Sequence, residues 1–198
     1  VSIDDIKSTK IAFDETKQTV VLQFPEGTLK KYESKELQLK IVFTGILNDN
    51  MAGFYRAKYE DKLTGETKYM ATTQMEPTDA RRAFPCFDEP NLKAKYTVQL
   101  ISDKSLTHLS NMDVNEEKIV DSKKITIFNK TPEMSTYLVA FIGADLKYVE
   151  NNSGRTPVKV YATPGDESNG QFAADLASKT LDFFEKTFNI EYPLPKMD

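Results

Sequence analysis

Apolar and polar residues alternate at period two along most of the chain, the pattern of strands that bury one face. From Leu37 to Thr44, the residues Leu37, Leu39, Ile41 and Phe43 fall on one side and Gln38, Lys40 and Thr44 on the other, with Val42 the exception. Comparable runs are Lys10 to Phe13, Thr19 to Phe24, Gly53 to Tyr59, Thr67 to Thr73, Ala94 to Ile101, Lys124 to Asn129, Tyr137 to Tyr148 and Pro157 to Ala162. Between them, Asn48-Asp49-Asn50, Lys62 to Glu66 and Asn151 to Gly154 carry the residues that favour turns through left-handed backbone or local side-chain bonding. Short strands broken by turn signals about every 8–12 residues predict a mainly β fold, a saddle-like or sandwich arrangement of largely antiparallel sheets.

The period changes after Thr163-Pro164-Gly165-Asp166. From Ser168 to Phe188 the apolar residues Ala173, Ala177, Leu181, Phe184 and Phe188, flanked by Phe172, Leu176 and Phe183, form a helical stripe wide enough for a core face. Asp166 or Ser168 is expected to cap the helix, and Asn189 with Pro193 beyond it to end it, leaving Tyr192 to Pro195 extended. One helix after a run of strands places a boundary near residues 160–166. Residues 1–163 are expected to be one β domain, and residues 164–198 the start of another.

Composition removes several function classes. With 26 Lys and Arg against 30 Asp and Glu, the net charge of −4 does not suit a protein held to nucleic acid by phosphate contacts. No window approaches about eighteen consecutive apolar residues, so no membrane span is expected. The single Cys86 excludes an intramolecular disulfide, which fits a reducing compartment. The single His108 is too few for the usual catalytic zinc site of two or three His, or His with Cys. In its setting, Leu106 to Ser110, it is expected to be packed or solvated in a strand.

The densest stretch of unusual residues runs from Thr72 to Pro90. A strand is expected to end at Gln74 to Glu76, Pro77 to start a short helical turn, and Pro85 to end it. Residues i and i+2 share a strand face, so Gln74 and Glu76 should project together from a sheet rim, where an amide and a carboxylate can accept hydrogen bonds from an ammonium group. A second reading makes the same residues structural. Glu76 would favour the turn's N-terminus, Thr78 would cap it, and Asp79, Arg81, Arg82, Asp88 and Glu89 would form a surface ion network. Cys86 reads as a buried, inert thiol.

The segments Phe43-Thr44-Gly45, Leu47-Asn48-Asp49, Met51 to Arg56, Thr73 to Pro90 and Tyr192 to Asp198, in that order, resemble the N-terminal domain of gluzincin-type zinc aminopeptidases. They are most similar to the puromycin-sensitive type and its fungal alanine/arginine relatives. The resemblance implies that Glu76 binds the α-ammonium of a peptide substrate and that Gln74 lines the pocket for the first side chain. It implies a β domain truncated at its start, followed at residues 164–198 by the first helix and linker of an incomplete thermolysin-like catalytic domain. It also implies zinc in the full-length protein, with peptides as substrates through their free N-terminus and the missing catalytic domain as partner in cis. The Gly-x-Met-Glu-Asn and His-Glu-x-x-His motifs of such enzymes are absent from these 198 residues. No metal site, no catalytic residue and no peptidase activity are therefore expected in the fragment itself. One cysteine and the type of resemblance point to the cytoplasm, without nucleic-acid or membrane partners. The alternative function is a non-catalytic, aminopeptidase-like scaffold or protein-interaction domain.

Overall fold

The computed structural model describes residues 1–33 and 35–198, which form two compact units, Val1–Ile46 and Leu47–Asp198. In the first unit, β1 (Ser2–Ile3), β2 (Ile6–Lys7), β3 (Lys10–Asp14), β4 (Thr19–Gln23) and β5 (Leu39–Lys40) make a three-stranded sheet in the order β2-β1-β5 and a separate β3-β4 hairpin, all antiparallel. Asp14 closes the hairpin by accepting the Lys17 amide at 3.0 Å. The strand expected from Leu37 to Thr44 shrinks to Leu39–Lys40, because a ladder needs a partner and among the described residues only Ser2–Ile3 supplies one. Beyond it Val42 and Phe43 stay exposed.

The second unit begins with β6 (Gly53–Glu60) and β7 (Thr67–Gln74), paired antiparallel along their whole length. Then follow β8 (Gln99–Asp103), β9 (Thr107–Ser110), β10 (Val114–Val120), β11 (Lys123–Phe128), β12 (Phe141–Ala144), β13 (Lys147–Asn151) and β14 (Val158–Ala162). They assemble as a four-stranded sheet, β6-β7-β12-β9, a three-stranded sheet, β10-β11-β8, and a β13-β14 hairpin. The mainly antiparallel β architecture expected from the alternation is what forms. Two strands, β9 and β10, have no clear alternating signal in sequence, since β9 is buried at Leu109 and Ser110 on successive positions and β10 is exposed throughout. The run from Tyr137 to Tyr148 breaks into a 3-10 turn at Thr136–Leu138 and the strands β12 and β13.

A core of the second unit gathers Met75, Ala80 and Val139, with Phe84, Tyr96 and Phe141 packed against it. The Phe54 and Phe141 rings meet at 4.9 Å, a tilted arrangement that suits their quadrupoles.

The helix α1 (Gln171–Phe188) follows a 3-10 turn at Glu167–Gly170 and ends at Asn189, whose left-handed backbone (φ 52°) stops it as expected. Two expectations fail here. Neither Asp166 nor Ser168 caps α1, which starts at Gly170 with no side-chain cap, since the 3-10 turn already delivers the chain in helical geometry. The stripe of large apolar residues is not the packed face either. Phe172, Leu176, Phe183, Phe184 and Phe188 are exposed, while Ala174 and Ser178 are buried toward β13 and β14. The approach is close: a Cβ on Gly170, just before α1, would lie 2.8 Å from a Val160 methyl and 3.1 Å from one of Val149, and a Cβ on Gly154 would lie 2.9 Å from the Ser178 hydroxyl. Polar contacts finish this face, with Asn151 donating to Asp175 at 2.7 Å. After α1 the chain returns beside β14, where Met197 donates to the Pro157 carbonyl and accepts from the Lys159 amide. Among the described residues no helix is long and apolar enough to cross a membrane.

Candidate functional site

Strand β7 ends opposite the start of β6, with Gln74 facing Gly53 across the ladder. Met75, the next residue, is 2% exposed and anchors the strand exit in the core, while Gln74 and Glu76 on either side of it are exposed. Burying one residue between two exposed ones is what an extended exit over a core requires. The Gln74 side-chain amide donates to the Glu76 carbonyl at 3.3 Å, tying the two residues together. Among the described residues the Glu76 carboxylate has no hydrogen-bond or ion-pair partner, so it stays open to a ligand cation.

The peptide between Glu76 and Pro77 is cis, and the backbone then folds into a tight turn in which the Asp79 amide donates to the Met75 carbonyl at 2.8 Å. A single 3-10 turn, Ala80–Arg82, follows with Ala80 fully buried. It begins after Asp79 and carries no side-chain cap, so Thr78 does not cap it. Gly53 makes the close fit of this turn possible. Its φ is +70°, and a Cβ there would lie 2.7 Å from the Arg82 Cβ and 3.2 Å from the Asp79 carbonyl oxygen.

The ion pairs around the turn are only partly at the surface. Arg82 pairs with Asp79 at 2.6 Å on an open flank. Arg81 instead reaches Asp88, whose side chain is 8% exposed and whose second oxygen takes the Thr136 hydroxyl at 2.6 Å. Burial acts to raise the Asp88 carboxyl, but the hydrogen bonds from Thr136 and Arg81 outweigh it and hold the group below the usual carboxylate range. The Thr136 contact, 48 residues away in sequence, has no signal in motif or spacing. Cys86 is a free thiol pushed up to about 11, first by burial and then by the Asp88 charge, in keeping with an inert group.

The described residues do not offer a zinc site. Among the described residues no three of His, Cys, Asp and Glu are grouped to hold a metal ion. Both ring nitrogens of His108 are engaged, one by Ser102 and one by Thr126. A mostly apolar depression of about 650 Å³, bordered by Leu109, Phe141, Tyr161, Tyr192 and Met197, includes neither Gln74 nor Glu76.

Residues 1–138 match the family model described as the peptidase M1 N-terminal domain. The chain is 69% identical to "Aminopeptidase 2, mitochondrial" of Saccharomyces cerevisiae and 65% identical to the "Alanine/arginine aminopeptidase" of the same yeast, in each case over 99% of the chain. It is 42% identical to the "Puromycin-sensitive aminopeptidase" of Caenorhabditis elegans over 98% of the chain. These alignments cover 20%, 23% and 20% of the respective relatives, so the chain spans about a fifth of their length. The family match extends over β1 to β11, the Gln74 to Glu76 exit and the turn beneath it, and the chain therefore belongs to the peptidase M1 N-terminal domain family.

Proposed function

We propose that this chain forms the substrate-docking wall of a zinc aminopeptidase that removes N-terminal residues from peptides. Glu76 receives the substrate's α-ammonium, and Gln74 borders the space for the first side chain. The observation that carries this reading is the exposed Glu76 carboxylate, which has no hydrogen-bond or ion-pair partner among the described residues and sits on an exit anchored by buried Met75. An exopeptidase must count from a charged terminus. A fixed carboxylate does so by favouring substrates that offer an ammonium and leaving internal peptide bonds without that contact.

In this reading residues 164–198 open the thermolysin-like catalytic domain that is the partner in cis. The zinc is held by residues other than those described here, and the 198-residue chain alone has no peptidase activity. The cytoplasm is the compartment we assign, on the free thiol of Cys86 and on the similarity to the puromycin-sensitive type. The mitochondrial relative makes cell fractionation the check on that assignment.

The test is Glu76→Ala in the intact enzyme, assayed with aminoacyl anilides alongside metal analysis. We expect kcat/KM to fall about 10²-fold, the loss of one charge-assisted contact made in the transition state, with zinc content unchanged. Equal turnover by mutant and wild type would remove the role from Glu76. A parent protein without zinc or turnover would move the function to a scaffold.

A further inference from the structure

Four strands of the second unit each contribute one polar side chain to a single chain of hydrogen bonds, which is buried at His108 and Thr126 and reaches the surface at Glu117. Ser102 comes from β8, His108 from β9, Glu117 from β10 and Thr126 from β11. His108 belongs to the four-stranded sheet and the other three to the three-stranded one, so the chain ties one sheet to the other. Thr126 is 0% and His108 6% exposed. The contacts are Ser102 Oγ to His108 Nε2 at 2.6 Å, His108 Nδ1 to Thr126 Oγ1 at 2.8 Å, and Thr126 Oγ1 to Glu117 Oε2 at 3.0 Å.

Donor counting selects one arrangement of protons. An ionised carboxylate only accepts, so the Thr126 hydroxyl donates its one proton to Glu117. Thr126 Oγ1 must then accept from His108, which places the neutral ring's proton on Nδ1. Nε2 is bare and accepts from the Ser102 hydroxyl. A second acceptor lies in reach of that hydroxyl, the Asp103 carbonyl at 3.0 Å. If Nε2 gains a proton it becomes a donor to Ser102 Oγ, and the Ser102 hydroxyl turns to Asp103.

We propose that Ser102, His108, Thr126 and Glu117 form a proton-responsive clamp between the two sheets, in which His108 takes up a proton by the turn of one hydroxyl and without losing a hydrogen bond. The charged groups facing the ring come from the other sheet: Lys124 on β11 opposes the imidazolium and Glu117 on β10 favours it. These two lie 3.9 Å apart. Burial and the Lys124 charge outweigh Glu117 and hold the His108 pKa below its ordinary value. Protonation is thus postponed to a pH below the ordinary histidine midpoint and, when it comes, leaves the packing of the sheets in place.

Long-range ¹H–¹⁵N correlation spectra across pH test this, with the His108→Gln spectrum subtracted to isolate the ring. We expect a neutral ring protonated on Nδ1 and bare on Nε2, titrating below the ordinary histidine midpoint. In Ser102→Ala the protonated Nε2 has no acceptor, and the midpoint should move down by about one further pH unit, a tenfold change. A neutral ring protonated on Nε2 would overturn the proposal. So would a Ser102→Ala midpoint equal to or above the wild-type one, or a ring that stays neutral until the fold is lost.

Discussion

Arg81 holds Asp88 at three points: its backbone amide and its Nε both donate to one carboxylate oxygen, at 3.2 and 2.7 Å, and its Nη2 donates to the Asp88 carbonyl at 3.0 Å. With Thr136 on the other oxygen, this contact pins the two ends of the 81–88 segment together and to the turn before β12. Replacing Asp88 by Ala should lower the unfolding free energy by about 2–3 kcal/mol, since charge-assisted bonds are lost and partial exposure of Arg81 moderates the effect. Urea denaturation of the two proteins measures it.

The same carboxylate gives an acid signature. The folded Asp88 carboxyl lies below its unfolded value, so its contribution to stability is present above the unfolded pKa of about 4 and is lost as pH falls through the lower folded one. Stability profiles between pH 6 and pH 2 should be flatter in Asp88→Asn than in wild type at the acid end.

His108 works in a different window. Its folded pKa is lowered, so the unfolded chain binds the proton first and stability falls as pH drops below about 6.5 toward the folded value. Melting temperatures taken from pH 7.5 to 5.5 should decline in wild type and decline less in His108→Gln. An equal decline in both would assign the slope to other groups.

Gly53 bears on the site through shape alone. Gly53→Ala combines a positive φ with a Cβ 2.7 Å from that of Arg82, and should cost about 1–3 kcal/mol. The displaced turn carries Asp79 and Arg82, so in the intact enzyme KM for aminoacyl anilides should rise even under conditions where the variant is folded. Circular dichroism alongside the assay separates the two effects.

Charge and shape at Glu76 can also be told apart. Glu76→Gln keeps the outline and hydrogen-bond acceptance but not the charge, and its kcat/KM should lie between those of wild type and Glu76→Ala. A Gln variant as impaired as the Ala variant would make charge the whole of the effect.

Exposed Phe172, Leu176 and Phe183 lie off the face of α1 that meets β13 and β14. Changing the three to Gln, Lys and Gln should raise the solubility of the 198-residue chain and leave its melting temperature within a few degrees, because little burial is removed. Static light scattering and a thermal melt report the two quantities.

Much of the local structure was legible in the sequence. Alternation marked β3, β4, β6, β7, β11 and β14 to within a residue or two, because facing of i and i+2 is a property of the strand itself. Asn189 was readable as the end of α1, since a left-handed residue there needs only local geometry. The Gln74 to Glu76 motif was readable as a strand exit for the same reason, with Met75 turned inward between them.

The tertiary structure alone decided which surfaces meet. It shortened the Leu37 to Thr44 run to two paired residues, and it set α1 on Ala174 and Ser178 instead of the phenylalanines, with Gly170 close against Val149 and Val160 and Gly154 close against Ser178. It joined Asp88 to Thr136, and it brought Ser102, Thr126 and Glu117 around His108. Periodicity and turn chemistry act over a few residues and are written in the chain. Partners for a buried charge or an imidazole are brought together by strand pairing across tens of residues, which no local pattern encodes.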